Sequence, residues 1–259
     1  MGKLSIIGRI FYSIAIAVFG VQMIYYHDFP YMLLPPNHSR IPGFAVLAFI
    51  SGILFVLAGT CLIFEKKPRQ ISLLLGFVLL LICCFYYVPY EFMATSNYMH
   101  LGEWENAMKD LTLAGGALVI ADCFPEKNEN HLIRFLGKLI PFGAILFAIT
   151  IVDYGISHFL YAKDAANYVP SWIPGHLFWI YFCGAALIGS GIAIILKIKT
   201  GIAATLLGTM IFIWFISLHI PRVVVSSSAD MKDEVTSAFL ALAYSGIAFI
   251  IAGAAKKGA

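Results

Sequence analysis

Charge is what this sequence has least of. Asp, Glu, Lys and Arg make up 12% of its 259 residues, against 61% for the hydrophobic types. A soluble globular domain carries about 25% charged residues, so this chain lacks the polar surface to live in water. Catalytic signatures are missing as well. No Gly-rich phosphate loop, nucleophile elbow, haem-binding Cys pair or regular Arg ladder occurs, which leaves nucleotide hydrolysis, serine-type acyl transfer, covalent haem and voltage sensing without support. No basic patch with interleaved aromatics is present, so nucleic acid is not an expected partner. The five cysteines, Cys61, Cys83, Cys84, Cys123 and Cys183, form no C-x-x-C. Neighbours such as Cys83 and Cys84 project about 100° apart on a helix and pair poorly. They read as buried thiols, which argues against a thiol-disulfide carrier of the vitamin K type.

What fills the chain instead is apolar sequence. Eight stretches, near 5–26, 43–64, 71–90, 106–122, 139–161, 175–196, 200–220 and 235–254, each approach the length of about 20 residues that crosses a bilayer as a helix. The fourth is the shortest. The first has a basic start at Lys3 and Arg9, and Ala15-Ile16-Ala17 has the form of a cleavage site. Its apolar run continues to Tyr26, however, so it reads as a retained helix. Lys and Arg divide twelve to five between the two sets of loops. The richer set (Lys3, Arg9, Lys66, Lys67, Arg69, Lys127, Arg134, Lys138, Lys197, Lys199, Lys256, Lys257) predicts both termini in the cytoplasm of a cell-membrane protein. The poorer set is Arg40, Lys109, Lys163, Arg222 and Lys232.

The sequence is also written twice. A shift of 132 residues lays Pro42-Gly43 on Pro174-Gly175, Gly52 on Gly184, Gly59 on Gly191, Gly76 on Gly208 and Pro89 on Pro221. With small changes of offset, Phe19-Gly20 meets Tyr154-Gly155 and Gly116 meets Gly246. Backbone geometry selects Gly and Pro, so a shared spacing predicts a shared fold in each half. The expected architecture is an all-α integral membrane protein of eight transmembrane helices, as two four-helix-bundle repeats. Residues 1–122 form the first, 123–138 a cytoplasmic linker and 139–259 the second. Four helices return the chain to its starting side, so the repeats insert in parallel. Pro42 and Pro174 suit the first position of the helices that follow them, and the Pro- and aromatic-rich connections before them suit interfacial packing.

Subtracting one half from the other isolates the polar candidates. Asp153, His158, His176, His219 and Arg222 cluster near the outer ends of the second-half helices, and their first-half partners are Val18, Met23, Phe44, Tyr87 and Tyr90. Ionisable groups in a bilayer are costly, which makes each a functional candidate. At 1.5 Å per residue, Asp153 lies roughly 12 Å and His158 roughly 5 Å below the outer end of the fifth helix. His219 and Arg222, three apart, share a face. Two readings stand. The five bind a quinone head group or another polar ring, with Asp153 fixing a histidine tautomer; or Asp153 pairs with Arg222 or a histidine and simply locks helices together. A metal site is not expected, because no His-x-x-x-His spacing fixes two ligands on one face. In the first half, His27, Asp28, His38, Arg40, Glu91, Glu103 and Glu105 read as solvated loop or cap residues. Asp110 reads as a first-turn carboxylate favoured by the helix dipole, and the run Phe85-Tyr86-Tyr87-Val88-Pro89-Tyr90 as an interfacial belt.

Several of these motifs resemble the DoxX-like (DoxX/DoxD) family of small four-helix membrane proteins. They are Gly155-x-x-His158, Val169-Pro-Ser-Trp-Ile-Pro-Gly175, Gly184 with Ser190-Gly191, His219-Ile-Pro221, and the segment Glu103 to Gly116 leading into a fourth helix. The resemblance covers nearly the whole chain, once per half. The family is named from membrane subunits associated with thiosulfate:quinone oxidoreductase, and the resemblance implies a prokaryotic cytoplasmic membrane and proximity to quinone chemistry. This chain departs from the pattern as a fused tandem pair whose first half lacks the histidines at 158 and 219. The expected function is binding of a small hydrophobic or quinone-like molecule near the outer leaflet in the second repeat, with quinone the one cofactor suggested. The alternatives are a membrane subunit of a quinone-linked oxidoreductase served by a soluble redox partner, and a small-solute transporter.

Overall fold

The structure is a computed structural model and describes residues 2–34, 42–94 and 104–255. His38, Arg40, Glu103, Lys256 and Lys257 lie outside the described residues. Eight long helices account for most of the described chain, and no strand occurs among the described residues. They are α1 (Lys3–Tyr26), α2 (Phe44–Ile63), α3 (Pro68–Met93), α4 (Glu105–Asp122), α5 (His131–Leu160), α6 (His176–Ile195), α7 (Thr200–Val225) and α8 (Met231–Ala255). Seven of them are long and apolar enough to cross a membrane. The exception is α4, where Glu105, Lys109, Asp110 and Asp122 interrupt the apolar run. Outward-facing Leu54, Ile202 and Leu206 are 60%, 61% and 65% exposed, a surface suited to lipid rather than water. The molecule is a helical membrane protein.

Local chemistry fixes the helix ends. Gly43 and Gly175, at φ 73° and 71°, cap α2 and α6 in the left-handed conformation that glycine adopts without penalty. Pro42 and Pro174 therefore stand one place outside the cap, not at the first helical position expected from sequence. The proline that does occupy a helix start is Pro68 in α3. Helix α5 begins earlier than its apolar run, because the Asn130 side chain accepts the Ile133 N–H at 2.9 Å and starts a turn inside the segment read as linker. Pro141 is absorbed by a tighter stretch, Gly137–Phe142. Buried Arg9 donates to the carbonyls of Leu62 and, at 2.9 Å, of Ile63, covering the C-terminal end of α2. Arg69 does the same for Ala121 of α4 at 3.0 Å.

Backbone irregularities recur at the spacing seen in the sequence. Positive φ occurs at Glu65 and Lys197, at Lys67 and Lys199, and at Gly43 and Gly175, each pair 132 apart. Helices α3 and α7 each widen into a π-helical turn, at Cys83–Tyr87 and Phe215–His219, with Val88 N–H reaching Cys83 O and Ile220 N–H reaching Phe215 O. Pro89 and Pro221 follow directly. A proline supplies no N–H and crowds the preceding turn, and the extra residue of a π turn absorbs both effects.

Packing runs across the middle of the chain. Helix α1 packs most extensively on α8 and α2, while α5 packs on α6 and α4; α3 lies on α4, and α7 on α8. The innermost helices are therefore α4 and α8, which touch each other. Residues 112–121 of α4 are all buried, as is nearly the whole apolar part of α8. Close approach depends on glycine. A Cβ on Gly8 would lie 2.3 Å from the Gly246 carbonyl oxygen, and one on Gly115 would lie 2.7 Å from that of Gly143.

Candidate functional site

At the end of the bundle where α5 and α7 finish, a cavity of about 780 Å³ opens between α5, α6 and α7. The connection from Tyr161 to Ile173 covers it, and Glu105, Glu234 and Ser237 close the side toward α4 and α8. Helix α5 presents Tyr154, Ser157 and His158, spaced i, i+3 and i+4 and so on one face. Helix α7 presents Trp214, then three consecutive residues, Ser217, Leu218 and His219, then Arg222. All three lie in the π turn at 215–219.

The two histidines are held differently. His158 donates from Nδ1 to the Tyr154 carbonyl at 2.7 Å, and its ring stacks on Trp214 with centroids 6.1 Å apart and planes 16° from parallel. Its Cβ rests on Gly184 of α6, where any side chain would collide. His219 keeps Nδ1 buried with no hydrogen-bond partner among the described residues, and the Ser157 hydroxyl oxygen is in the same condition. Unpaired buried polar atoms are rare and costly. Both atoms belong to residues that line the cavity, but each is itself turned away from the open space. Arg222 is already engaged: its guanidinium forks onto Glu234, Nε to Oε2 at 2.9 Å and Nη2 to Oε1, and lies 4.6 Å above the Tyr168 ring.

Of the five residues singled out from sequence, the structure brings together His158, His219 and Arg222. Asp153 is buried deeper on α5, outside the cavity wall, with Oδ2 unpartnered and no ion pair to Arg222 or either histidine among the described residues. The tautomer of His158 is set by the Tyr154 carbonyl and not by Asp153. His176 opens α6 away from the wall. Sequence reasoning passed over Glu234, Trp214 and Tyr168, and read Glu105, which lines the cavity, as a solvated loop or cap residue. The need of Arg222 for a carboxylate was a usable signal for Glu234, the acid that opens α8; the Trp214–His158 stack had none.

At the counterpart positions of the first half, the described side chains are packed. Met23 and Tyr87, the counterparts of His158 and His219, are fully buried, and the Tyr87 hydroxyl donates to the Tyr31 carbonyl. Met32 and Leu33 from the adjoining connection are buried beside them in the core. The aromatic belt expected at 85–90 is accordingly split: Phe85 is 76% exposed while Tyr87 is 0%. Asp110 also departs from expectation. Helix α4 begins at Glu105, so Asp110 sits in the second turn, fully buried, and neither carboxylate oxygen has a partner among the described residues. Tyr12, Cys83 and Tyr87 point their hydrogens at main-chain carbonyls. Among the described residues, no three His, Cys, Asp or Glu side chains come together to hold a metal ion.

No family model matches this chain, and no curated protein and no solved structure matches it.

Proposed function

We propose that the protein binds a small hydrophobic molecule with a polar ring, quinone-like in class, in the α5–α7 cavity at the outer leaflet of a cell membrane. The observation that carries this reading is the cavity wall itself. An aromatic- and apolar-lined space of about 780 Å³ is bordered by His158, His219 and Arg222, polar side chains at the ends of two apolar helices. Its place at the ends of two helices with exposed apolar faces suits a ligand that arrives through the bilayer. The chain then spans the membrane eight times, with α4 counted as the eighth helix, buried by its neighbours rather than by lipid. It does so as two like-oriented halves with both termini in the cytoplasm. Paired π turns and paired positive-φ residues 132 apart support that duplication, and the motifs quoted above support kinship with DoxX-like proteins.

The test is direct. Full-length protein purified from native-like membranes is extracted with organic solvent, and the extract is compared with that of an unrelated membrane protein of similar size. Enrichment of an isoprenoid quinone or other ring-bearing amphiphile, lost in His219→Ala, is the expected result. An extract matching the unrelated protein refutes the proposal.

A further inference from the structure

We propose that the α5–α7 cavity selects a hydroxyl-bearing ring, a phenol or quinol, over the carbonyl-bearing quinone of the same skeleton; the inference rests on reading that cavity as a ligand site. The selecting group is His158. Its Nδ1 lies 2.7 Å from the Tyr154 carbonyl oxygen. A carbonyl oxygen only accepts, so Nδ1 carries the ring hydrogen, and Nε2 of the neutral imidazole is left as a lone-pair acceptor. The partner is a main-chain carbonyl one helical turn back and cannot rotate away, so the helix itself holds the tautomer. Stacking on Trp214 fixes the plane of the ring and with it the direction of the lone pair. Nε2 meets no donor among the described residues.

The wall holds donors too, the indoles of Trp172 and Trp214 among them, so the selectivity rests on His158. Glu105 and Asp164 line the cavity as carboxylates, which accept when ionised. Arg222, the strongest donor at hand, spends two N–H groups on Glu234. The indole N–H of Trp179 goes to the Pro174 carbonyl at 3.2 Å. A phenolic O–H gives its hydrogen to Nε2. A quinone carbonyl has no hydrogen to give and sets its lone pairs against that of Nε2. An aryl methyl ether has the same defect.

The probes are a long-chain alkylphenol, its methyl ether and the alkyl-benzoquinone of equal chain length, competed against tritiated alkylphenol on full-length protein in nanodiscs. The phenol is expected to bind about tenfold more tightly than either competitor, the usual weight of one buried hydrogen bond. In His158→Phe, which keeps a ring against Trp214 but has no lone pair, the three are expected to bind within about twofold of one another. Retained ether binding by that variant shows that it is folded. Equal affinity of phenol and quinone in the wild type overturns the selectivity and leaves the cavity reading standing. A preference that persists in His158→Phe overturns the assignment to His158. Absence of saturable binding for all three probes overturns the cavity reading and this inference together.

Discussion

Two glycines five residues apart on α6 separate the contribution of helix contact from that of helix propensity. A Cβ on Gly184 would lie 2.9 Å from His158 Cβ, 2.9 Å from Phe159 Cε2 and 3.1 Å from the Gly155 carbonyl oxygen. Carbon atoms rest about 3.5–4.0 Å apart. The Phe159 ring can swing toward lipid, but His158 Cβ is bound to its backbone, so α5 and α6 must part by about 0.6–1 Å. Gly189 meets nothing within 4 Å of its built Cβ. Alanine at either position gains the same helix propensity, up to about 1 kcal/mol. The difference between Gly184→Ala and Gly189→Ala is then overpacking alone, about 1–3 kcal/mol. At about 2–4 °C per kcal/mol for a chain of this size, thermal unfolding of the two purified variants should differ by about 2–12 °C, with Gly184→Ala the less stable. Because His158 Cβ is what moves, Gly184→Ala should also weaken alkylphenol binding while Gly189→Ala leaves it alone. Equal melting temperatures would show that α5 and α6 do not meet at Gly184 and would remove the basis for placing His158.

Three other outcomes follow from the same geometry. Arg222→Glu and Glu234→Arg should each lower thermal stability by about 1–2 kcal/mol, discounted for partial exposure, and the double swap should recover part of that loss; no recovery means that the fork does not form. Asp110→Ala should raise stability by about 1–2 kcal/mol, since it removes a buried carboxyl with no partner and improves helix propensity; a fall in melting temperature means that the carboxyl is engaged. Burial pushes the Tyr31 hydroxyl, in the connection after α1, up to about 12 from its ordinary 10.0. A raised folded value favours the protonated form, so its stabilising share is present below pH 10 and is lost as pH climbs toward about 12. Tyr31→Phe should therefore unfold less steeply than wild type across that alkaline window in a pH-jump melt, and parallel curves contradict the assignment.

How much of this could be read from residues alone depends on what each residue reports. Apolar runs located all eight helices, because bilayer length and helix rise leave little freedom, but not the early start of α5, which an Asn130 cap and a tight turn carry into the segment read as linker. Pro89 and Pro221 announced a disturbance at matching places but not its form, since a missing N–H can be met by a kink, a break or a π turn. Helix partnership was not legible. Nothing in the Gly8 or Gly246 neighbourhood says that the first helix lies on the last, and an apolar stripe fits any complementary stripe. Asp110 was misread for that reason: a charge in an early turn is a solvated cap on an outer helix and a buried group on a central one. His158, His219 and Arg222 were singled out because their first-half counterparts supplied a contrast. Glu234 and Trp214 were not, since a carboxylate at a helix start and a Trp in an apolar run are both unremarkable without a third dimension.

The pairing of α1 with α8 has a consequence for how the molecule is made. During synthesis the α1–α2 hairpin enters the bilayer with one face matched to a helix that the ribosome has not yet reached. That face, Gly8 and Tyr12 included, must wait for some two hundred residues of further chain in a state where lipid or a chaperone occupies the seat of α8. Assembly is thus completed from the C-terminal end, and an interrupted chain leaves one whole side of its oldest helix uncovered.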